Sequence, residues 1–375
     1  MDRIRIGIIG AGCVTQIEHL PNLLALADRF QLVAVADPSP RVRAFITGHW
    51  GIQTVASIDQ LLSMPLDAVV VASPDALHRE HVLAAFGAGL HVLCEKPLCY
   101  GDTDISELIA ARDHAGRVLQ VGYMKRFDPA YETMLRLMPD NGDGLRQVMV
   151  EVLDPDAAPF IRHQPWCRGD DLPVDMAAAL LEKQLAQVAR AVSTPLDATG
   201  YRGFCNAYCS SIVHDVNAVH GLVDRLGLTA DRVVGAQIFA GGDGGAGTVE
   251  LCGGAALWTM SHLTVPRLPE YSERITLVFE DASFELLFPS PWLAHFPTRL
   301  TVRRAHGQDT RTESIACGFA EAFVVEMKGF HSAILGTAAV RNTAEVAARD
   351  MRLLGRMAEF YATRTAPGEP KRIPA

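Results

Sequence analysis

The sequence lacks the features that mark membrane proteins and nucleic-acid-binding proteins. Its 375 residues contain no run of the roughly 18 consecutive apolar residues that a transmembrane helix requires. The formal net charge is −9, whereas a nucleic-acid-binding face needs an excess of lysine and arginine. The chain also starts directly on a strand pattern, with no charged leader or cleavage site before it. We therefore expect a cytoplasmic protein whose partner is neither a nucleic acid nor a membrane.

The eight cysteines lack the spacing of a metal site or of a redox pair. None of them stands in a Cys-x-x-Cys arrangement, which is the signature of zinc ribbons and thioredoxin-like motifs. Cys205, Cys209 and His214 have suitable residue types for a metal, but a fourth ligand at a sensible spacing is missing. We therefore predict no metal site, and free buried thiols in a reducing compartment.

Length and composition indicate a globular protein with two domains. A chain of 375 residues exceeds the size that a single hydrophobic core usually reaches. Its hydrophobic content of 49% and charged content of 21% match a globular enzyme. We expect a first domain over residues 1–125 and a second over residues 126–365, with an inserted helical segment near 155–200.

The first residues of the chain carry the pattern of a dinucleotide-binding turn. Residues 4–9 form a short apolar run, as in a parallel strand that is covered on both faces. Gly10 and Gly12 follow, and they let the backbone turn tightly and approach a pyrophosphate. The helix that is predicted to start near Thr15 offers its N-terminal amides to the phosphate charge.

The end of the second predicted strand bears on the choice of cofactor. Residues 31–37 form a buried strand pattern that ends in Asp37, 25 residues after Gly12. A carboxylate at this place accepts hydrogen bonds from ribose hydroxyls and repels a 2′-phosphate, so NAD is favoured over NADP. Arg41 is close enough in sequence to soften that preference. The alternative is that Asp37 belongs only to a solvated turn before Pro38.

Three more strand patterns complete a doubly wound sheet. Residues 68–72 end at Ser73-Pro74, residues 91–94 end at Glu95-Lys96-Pro97, and residues 118–122 close the series. Helical patterns lie between them, which gives the βαβαβ order of an α/β Rossmann domain with a parallel sheet. Ligands bind at the carboxyl edge of such a sheet, where the Ser73-Pro74 turn and the Glu95-Lys96-Pro97 turn are expected.

Together these motifs resemble the glucose–fructose oxidoreductase / inositol dehydrogenase (Gfo/Idh/MocA) family of NAD(P)-dependent oxidoreductases. The matching stretches are Gly7 to Gly12, Asp37, Ser73-Pro74 with His78, Glu95-Lys96-Pro97, residues 121–129 and 214–222, and much of the C-terminal third. The resemblance implies a second α+β domain with an open, mainly antiparallel sheet, whose open face commonly forms the contact of a homodimer or homotetramer. It places the cofactor against Gly10, Gly12, Cys13, Val14, Asp37, Ser73, Pro74, His78, Glu95 and Lys96.

Lys96 and His214 are the candidate catalytic residues. The resemblance gives Lys96 contact with the substrate oxygen, where an ammonium stabilises a developing alkoxide. His214 is the candidate proton acceptor, because a pKa near neutrality suits a reversible alcohol–carbonyl interconversion. The alternatives are a surface lysine and a core or capping histidine. The predicted substrate-binding residues are Lys96, Tyr123, Arg126, Ser210 and His214.

Two features depart from the commoner pattern of the family. Ser210 and Asn217 stand where relatives often carry aspartate, which is expected to remove negative charge near the reacting centre. The inserted segment contains an aromatic and basic stretch over residues 160–168 and an amphipathic helix pattern over 174–192. Trp166 is a candidate for stacking on a sugar, with Arg162 or Arg168 gripping an anionic group. A packed surface excursion or an oligomer contact is the alternative.

The leading functional hypothesis is an NAD-dependent oxidoreductase, with NADP possible. It would transfer a hydride between the nicotinamide and a ring hydroxyl carbon of a sugar, cyclitol or glycoside. A second hypothesis is a redox-neutral glycosidase or lyase in which a tightly held NAD oxidises the ring transiently. A third is a non-catalytic NAD(P)-binding sensor, which the loss of aspartate at Ser210 allows and the presence of Lys96 and His214 argues against.

Overall fold

The computed structural model describes residues 3–365, and its first sheet has six parallel strands. Their order is β3-β2-β1-β4-β5-β6, which is the doubly wound order of a Rossmann domain and confirms the predicted fold class. The strand order reverses between β1 and β4, because later strands are added on the other side of β1. Open α/β sheets bind ligands in the crevice at that point. The strands are β1 Ile4–Ile9, β2 Phe30–Ala36, β3 Thr54–Val55, β4 Ala68–Val71, β5 His91–Glu95 and β6 Leu119–Gly122.

Both faces of this sheet are covered, because alternate residues of a strand point to opposite sides. Ile6 and Val70 belong to the core on one face, and Ile9 and Val69 belong to the core on the other face. This two-sided burial explains why the strands read as continuous apolar runs in the sequence. The helices are α1 Leu20–Ala25 after a π-helical turn Thr15–His19, α2 Pro40–Trp50, α3 Ile58–Leu62, α4 His78–Gly87 and α5 Asp102–Ala115.

The second sheet has eight strands and is mainly antiparallel, as expected. Its order is β14-β13-β12-β11-β7-β10-β9-β8, and the central pair β7 and β10 is its parallel neighbour pair. Residues 247–262 lie in a hairpin of two of its strands that turns at Cys252–Gly254. The strands are β7 Leu145–Asp154, β8 Ala230–Phe239, β9 Gly244–Leu251, β10 Ala256–Thr264, β11 Ser272–Phe279, β12 Ala282–Phe288, β13 Arg299–His306 and β14 Asp309–Ala316.

The last two helices return to the first sheet. Met327 and Phe330 of α11 are buried in the same core as Ile6 of β1. Arg112 of α5 forms an ion pair of 2.7 Å with Glu345 of α12. The later helices are α6 Pro129–Leu137, α7 Ala158–Ile161, α8 Val174–Ala191, α9 Ala198–Gly203 with a π-helix Phe204–Ile212, α10 Val213–Arg225, α11 Ala322–Ile334 and α12 Ala344–Thr365.

The helix α8 lies in the predicted insertion, but its apolar face is only partly covered. Val188 is 3% exposed, whereas Leu181 and Leu185 are 50% and 45% exposed. The amphipathic pattern therefore predicted the helix correctly and overstated how much of it is buried. Within residues 3–365 we find no helix with the length and apolar character needed to cross a membrane.

Candidate active site

The carboxyl ends of the parallel strands face the second sheet across a cleft of about 1050 Å³ that opens to solvent. The first sheet contributes the predicted residues Ser73 and Lys96 to its lining, and α10 contributes His214. The second sheet contributes Glu273 from β11. The cleft therefore lies where the glycine turn and the Glu-Lys-Pro turn were predicted to meet a second domain.

The glycine turn leaves space for a phosphate group. Gly10 has a φ of +92°, and a Cβ there would lie 2.6 Å from the carbonyl oxygen of Ala72. The turn thus requires glycine at this position and packs its backbone tightly against the end of β4. A Cβ on Gly12 would meet nothing within 4 Å, so the outer side of the turn is open. These residues fit a dinucleotide whose pyrophosphate lies against the turn.

Asp37 is anchored beside the glycine turn. Its carboxylate accepts hydrogen bonds from the Ala11 amide at 2.8 Å and from the Ser39 amide at 2.9 Å. The carboxylate is half-buried, and the turn and the start of α2 both hold it. This arrangement places a negative charge at the carboxyl end of β2, where the sequence predicts ribose recognition.

His78 connects the Ser73-Pro74 turn to the Glu95-Lys96-Pro97 turn and is itself fully buried. Its ring nitrogens lie 2.8 Å from the carbonyl oxygens of Pro97 and Ser73. Ser73 also hydrogen-bonds through its hydroxyl to His81, at 2.8 Å. The peptide bond between Lys96 and Pro97 is cis. His78 therefore holds the turns after β4 and β5 at a fixed separation.

The remaining cofactor candidates lie at the cleft or next to it. Val14 and Ser73 line the cleft, and Pro74 directly precedes the short 3₁₀ helix Asp75–Leu77. Cys13 is half-buried beside them, and burial with the nearby Glu18 carboxylate raises the pKa of its thiol to about 11. Cys13 is thus a neutral thiol near the glycine turn.

Glu95 is a buried charged anchor beneath Lys96. It accepts a hydrogen bond from His19 at 2.8 Å, and a Cβ on Gly122 would lie 3.2 Å from its carboxyl group. Burial pushes the pKa of Glu95 upward, but the hydrogen bond from His19 and the charges of Lys96 and His78 outweigh burial and lower it. The carboxylate is therefore ionised at neutral pH.

Lys96 reaches across the cleft to the π-helix Phe204–Ile212. Its ammonium nitrogen donates a hydrogen bond to the carbonyl oxygen of Ser210 at 2.8 Å. The Ser210 side chain is exposed and lines the cleft. Single π-helical turns are frequent at functional sites, because they free carbonyl groups and redirect side chains. The structure therefore brings together Lys96 and Ser210, two of the residues predicted to bind substrate.

His214 lies in the first turn of α10 and lines the cleft. Burial, followed by the ammonium groups of Lys96 and Lys125, lowers its pKa well below the ordinary value of 6.5. Its Nδ1 is buried and has no hydrogen-bond partner among residues 3–365. Its ring meets the Tyr123 ring edge-on, with the ring centres 6.2 Å apart. The imidazole is therefore uncharged at neutral pH and has one nitrogen free of partners.

The sequence analysis missed a buried charge network at the floor of the cleft. The ammonium of Lys125 forms ion pairs with Asp215 at 3.2 Å and with Glu273. The second oxygen of Glu273 accepts a hydrogen bond from the Tyr271 hydroxyl at 2.6 Å. Lys125, Asp215 and Glu273 are 4%, 1% and 2% exposed, so each charge depends on its partners.

Two predicted substrate contacts point away from the cleft. Arg126 is buried and donates two hydrogen bonds to the carbonyl oxygen of Asn217, at 2.9 and 2.7 Å. Tyr123 is 1% exposed, and it supports the His214 ring from behind. Neither residue lines the cleft, so the structure places both in supporting positions.

Ser210 and Asn217 carry no charge, but other elements bring carboxylates to the cleft. Asp154 and Glu273 bring carboxylates into the cleft from β7 and β11. Asn217 lies away from the reacting centre, where its side chain donates a hydrogen bond to Asp350 at 2.8 Å. The carboxylates therefore come from the second sheet, which the sequence pattern around His214 does not reveal.

Trp292 lies at the cleft together with Tyr271 and Phe323, and the sequence analysis did not select it. Trp292 lines the cleft, whereas Trp166 does not. The segment around Trp166 lies against the first domain, since Gln16 hydrogen-bonds to Cys167. Within residues 3–365 there is no group of three or more histidine, cysteine, aspartate or glutamate side chains arranged to hold a metal ion.

The doubly wound sheet and the glycine turn indicate a dinucleotide-binding Rossmann domain, which is joined to a second, mainly antiparallel sheet. Comparison with known proteins agrees. Residues 4–123 match the family described as "Oxidoreductase family, NAD-binding Rossmann fold" (GFO_IDH_MocA). The first domain of this chain is therefore similar to the NAD-binding domain of that oxidoreductase family.

Among similar curated proteins, inositol 2-dehydrogenase 3 of Saccharopolyspora erythraea is 38% identical over 143 residues, which cover 38% of this chain and 42% of that protein. Inositol 2-dehydrogenase 1 of the same organism is 31% identical over 192 residues, which cover 49% of this chain and 56% of that protein. The matches thus span about half the length of these relatives.

Solved structures are similar over nearly the whole chain. A UDP-N-acetylglucosamine 3-dehydrogenase from Acidithiobacillus ferrooxidans has a TM-score of 0.71 at 18% identity, covering 97% of this chain and 99% of that one. A 3-ketoreductase from Actinomadura kijaniata, in complex with NADP and TDP-benzene, has a TM-score of 0.69 at 20% identity, covering 94% of this chain and 96% of that one. At these identities the likeness shows a shared fold.

Proposed function

We propose that this protein is an NAD-dependent oxidoreductase acting on a ring hydroxyl of a sugar, cyclitol or glycoside. The single observation that carries the proposal is the placement of Lys96 and His214 in one cleft, next to the open glycine turn. A bound nicotinamide would supply the hydride acceptor or donor. The protein's own residues have to bind the substrate, position its carbon and move its hydroxyl proton.

In this proposal Lys96 and His214 divide the work on the hydroxyl group. The Lys96 ammonium is held at the cleft by the Ser210 carbonyl, and there it stabilises negative charge on the substrate oxygen. His214 takes the hydroxyl proton on oxidation, because its lowered pKa keeps the imidazole neutral and ready to accept. In the reverse direction the same histidine returns the proton.

The charges of the cleft favour an uncharged polyol or sugar ring as the substrate. Of the described residues that line the cleft, the cationic side chains are Lys96 and Lys125, with no arginine. Lys125 is already paired with Asp215 and Glu273, so it is not free to bind an anion. Asp154 adds a carboxylate that can accept hydrogen bonds from ring hydroxyls. Trp292 offers an aromatic face for the apolar side of a ring.

A redox-neutral glycosidase or lyase is the second candidate, and the acid-base groups beyond Lys96 and His214 favour it. Burial raises the pKa of Asp154, which lines the cleft beside the hydrogen-bonded pair of Tyr271 and Glu273. Elimination from a ring ketone needs a base for the neighbouring C–H, and these groups are placed to supply one. The ring hydride would be removed and later returned, so no net oxidation would occur.

We further propose that the protein is a homodimer or homotetramer through the open face of the second sheet. Leu153 and Leu257 lie on that face of the adjacent strands β7 and β10, and they are 39% and 41% exposed. Light scattering on the purified protein tests this proposal. A dimeric or tetrameric mass supports it, and a monomeric mass at all concentrations contradicts it.

The proposed function is tested with the purified protein, NAD and a panel of neutral sugars, cyclitols and glycosides. Both NADH absorbance and product masses are followed. NADH that appears with a product lacking two hydrogens supports the oxidoreductase. Cleavage of a glycoside without net NADH supports the redox-neutral candidate. Turnover of neither kind across the panel, in a protein that binds NAD, contradicts both.

A further inference from the structure

The inserted segment runs along the carboxyl edge of the first sheet, beside the glycine turn. We call this edge the dinucleotide groove. Near the cleft, the Gln164 side chain donates a hydrogen bond to the carbonyl oxygen of Trp292 at 3.4 Å. Further along, the amide and the carbonyl oxygen of Cys167 both bond to the Gln16 side chain at 2.8 Å. Gln16 stands four residues after Gly12, on the helix that follows the glycine turn. The segment therefore passes directly beside the glycine turn.

Next to Asp37, two acidic residues of the segment bind the N-terminus of α2. The carboxylate of Asp171 accepts hydrogen bonds from the Ser39 hydroxyl and from the Arg41 amide, the latter at 3.0 Å. The Arg41 guanidinium forms an ion pair with Asp170. A Cβ on Gly169 would lie 3.2 Å from the Ser39 Cβ, so the segment is in close contact with α2.

The chain then crosses to the opposite rim of the groove through α8. The Gln187 side chain donates a hydrogen bond to the carbonyl oxygen of Ala76 at 2.8 Å. Lys183 forms an ion pair of 2.7 Å with Glu80 of α4. Ala76 follows β4, and Ser39 follows β2 on the other side of β1. Residues 164–187 therefore connect both rims, and we call them the bridge.

The bridge occupies the groups that a 2′-phosphate would use. Such a phosphate on a ribose beside Asp37 would need the Ser39 hydroxyl, the Arg41 amide and the Arg41 guanidinium. Asp171 and Asp170 already bond to all three and add two negative charges at the same place. Arg41, which the sequence places near enough to soften the preference for NAD, is therefore already paired with Asp170.

We propose that the bridge makes this protein selective for NAD over NADP, and that Asp170 and Asp171 are specificity-determining residues. This inference rests on the dinucleotide cofactor of the proposed function. NAD carries a free 2′-hydroxyl. Asp37 can accept a hydrogen bond from this hydroxyl without disturbing the bridge. NADP would have to displace two carboxylates from α2 or place its phosphate against them, which costs binding free energy.

Calorimetric titration with NAD and with NADP tests this inference without any assay of activity. Wild-type protein is expected to bind NAD about 100-fold more tightly than NADP. The double variant Asp170→Asn/Asp171→Asn should bind NADP about tenfold more tightly than wild type, with NAD affinity changed less than about threefold. Asp175→Asn is the matched control, since Asp175 is exposed on α8 and, among the described residues, its carboxylate accepts only from the neighbouring Met176 amide.

Two results would overturn the inference alone. One is a wild-type protein that binds NADP as tightly as NAD. The other is a double variant whose ratio of NAD to NADP affinity equals that of wild type or of the Asp175→Asn control. If neither dinucleotide binds to the wild-type protein, the inference and the proposed function both fail. A failure of the inference alone leaves NAD binding intact, so the two failures are distinguishable.

Discussion

Lys96 and Ser210 are joined by a hydrogen bond of 2.8 Å from the lysine ammonium to the serine carbonyl oxygen. The bond connects the end of a Rossmann strand to a π-helix that precedes α10, and so it spans the cleft between the two sheets. The main chain of Ser210, and not its side chain, thus positions the ammonium. A serine can therefore stand at this position without loss of the contact to Lys96.

Replacement of Lys96 tests its proposed role in charge stabilisation. We expect Lys96→Met to lower kcat by about 10²- to 10³-fold, because a developing alkoxide loses its cationic partner. NAD affinity, measured by titration, should change little by comparison. Lys328→Met is the control, since Lys328 is an exposed lysine on α11. Equal kcat values for the Lys96→Met and Lys328→Met proteins would remove Lys96 from the mechanism.

The pH dependence of activity tests the role of His214. Its pKa lies well below 6.5 in the folded protein because burial and two ammonium groups disfavour the imidazolium. The base is therefore active above that lowered pKa, and kcat/KM should show no loss centred on pH 6.5 as the pH falls. His214→Asn should lower kcat by about 10²- to 10⁴-fold. A limb at pH 6.5 in the wild type that His214→Asn removes would contradict this account.

The buried network around Lys125 should contribute strongly to stability. Lys125→Met leaves the carboxylates of Asp215 and Glu273 buried without their cation, so we expect a loss of about 3–5 kcal/mol in the free energy of unfolding. Adding Glu273→Gln to that variant should recover part of the loss, since one unpaired charge is gone. Urea unfolding measures both. A double variant less stable than Lys125→Met would show that the network does not act through this charge pairing.

Glu18 should make the protein less stable as the pH rises. Burial, with the Glu321 charge, raises its pKa from 4.5 to about 8 in the folded state. The folded state therefore favours the protonated form, and its stabilising contribution below pH 4.5 is lost as the pH rises to about 8. We expect Glu18→Gln to raise the free energy of unfolding at pH 8 by up to about 4 kcal/mol.

The pH dependence of that difference is the control for Glu18. Near pH 4.5 the wild type and Glu18→Gln should have similar melting temperatures, because the Glu18 carboxyl is protonated in the folded protein. A difference in melting temperature that stays constant from pH 4.5 to 8 would mean that Glu18→Gln acts through packing rather than through charge.

The parallel sheet was predictable because local chemistry determines it. Its strands are short apolar runs, and Gly10 and the cis bond before Pro97 fall at the strand ends where the turns were expected. The helix α8 was predictable from its period as well. Its exposed face was not, because periodicity reports which residues share a side and not whether another element covers that side.

The cleft was predictable only in part, since several of its residues are brought together by long-range strand pairing. Lys125 follows the Rossmann strand β6 in sequence, but its partner Glu273 comes from β11. One signal was available: Tyr271 and Glu273 are two residues apart, which places polar side chains on one face where β11 begins. The bridge depends on contacts between residues more than 100 positions apart, such as Ser39 with Asp171, and no local pattern predicts them.

Direct transfer of deuterium tests the central claim most directly. A substrate found in the panel is labelled with deuterium at the carbon that bears the reacting hydroxyl, and the nicotinamide cofactor is recovered for mass spectrometry. The account predicts deuterium on the nicotinamide with wild-type protein and very little with Lys96→Met or His214→Asn. Substrate turnover that leaves the nicotinamide free of deuterium, even transiently, would contradict hydride transfer in this cleft.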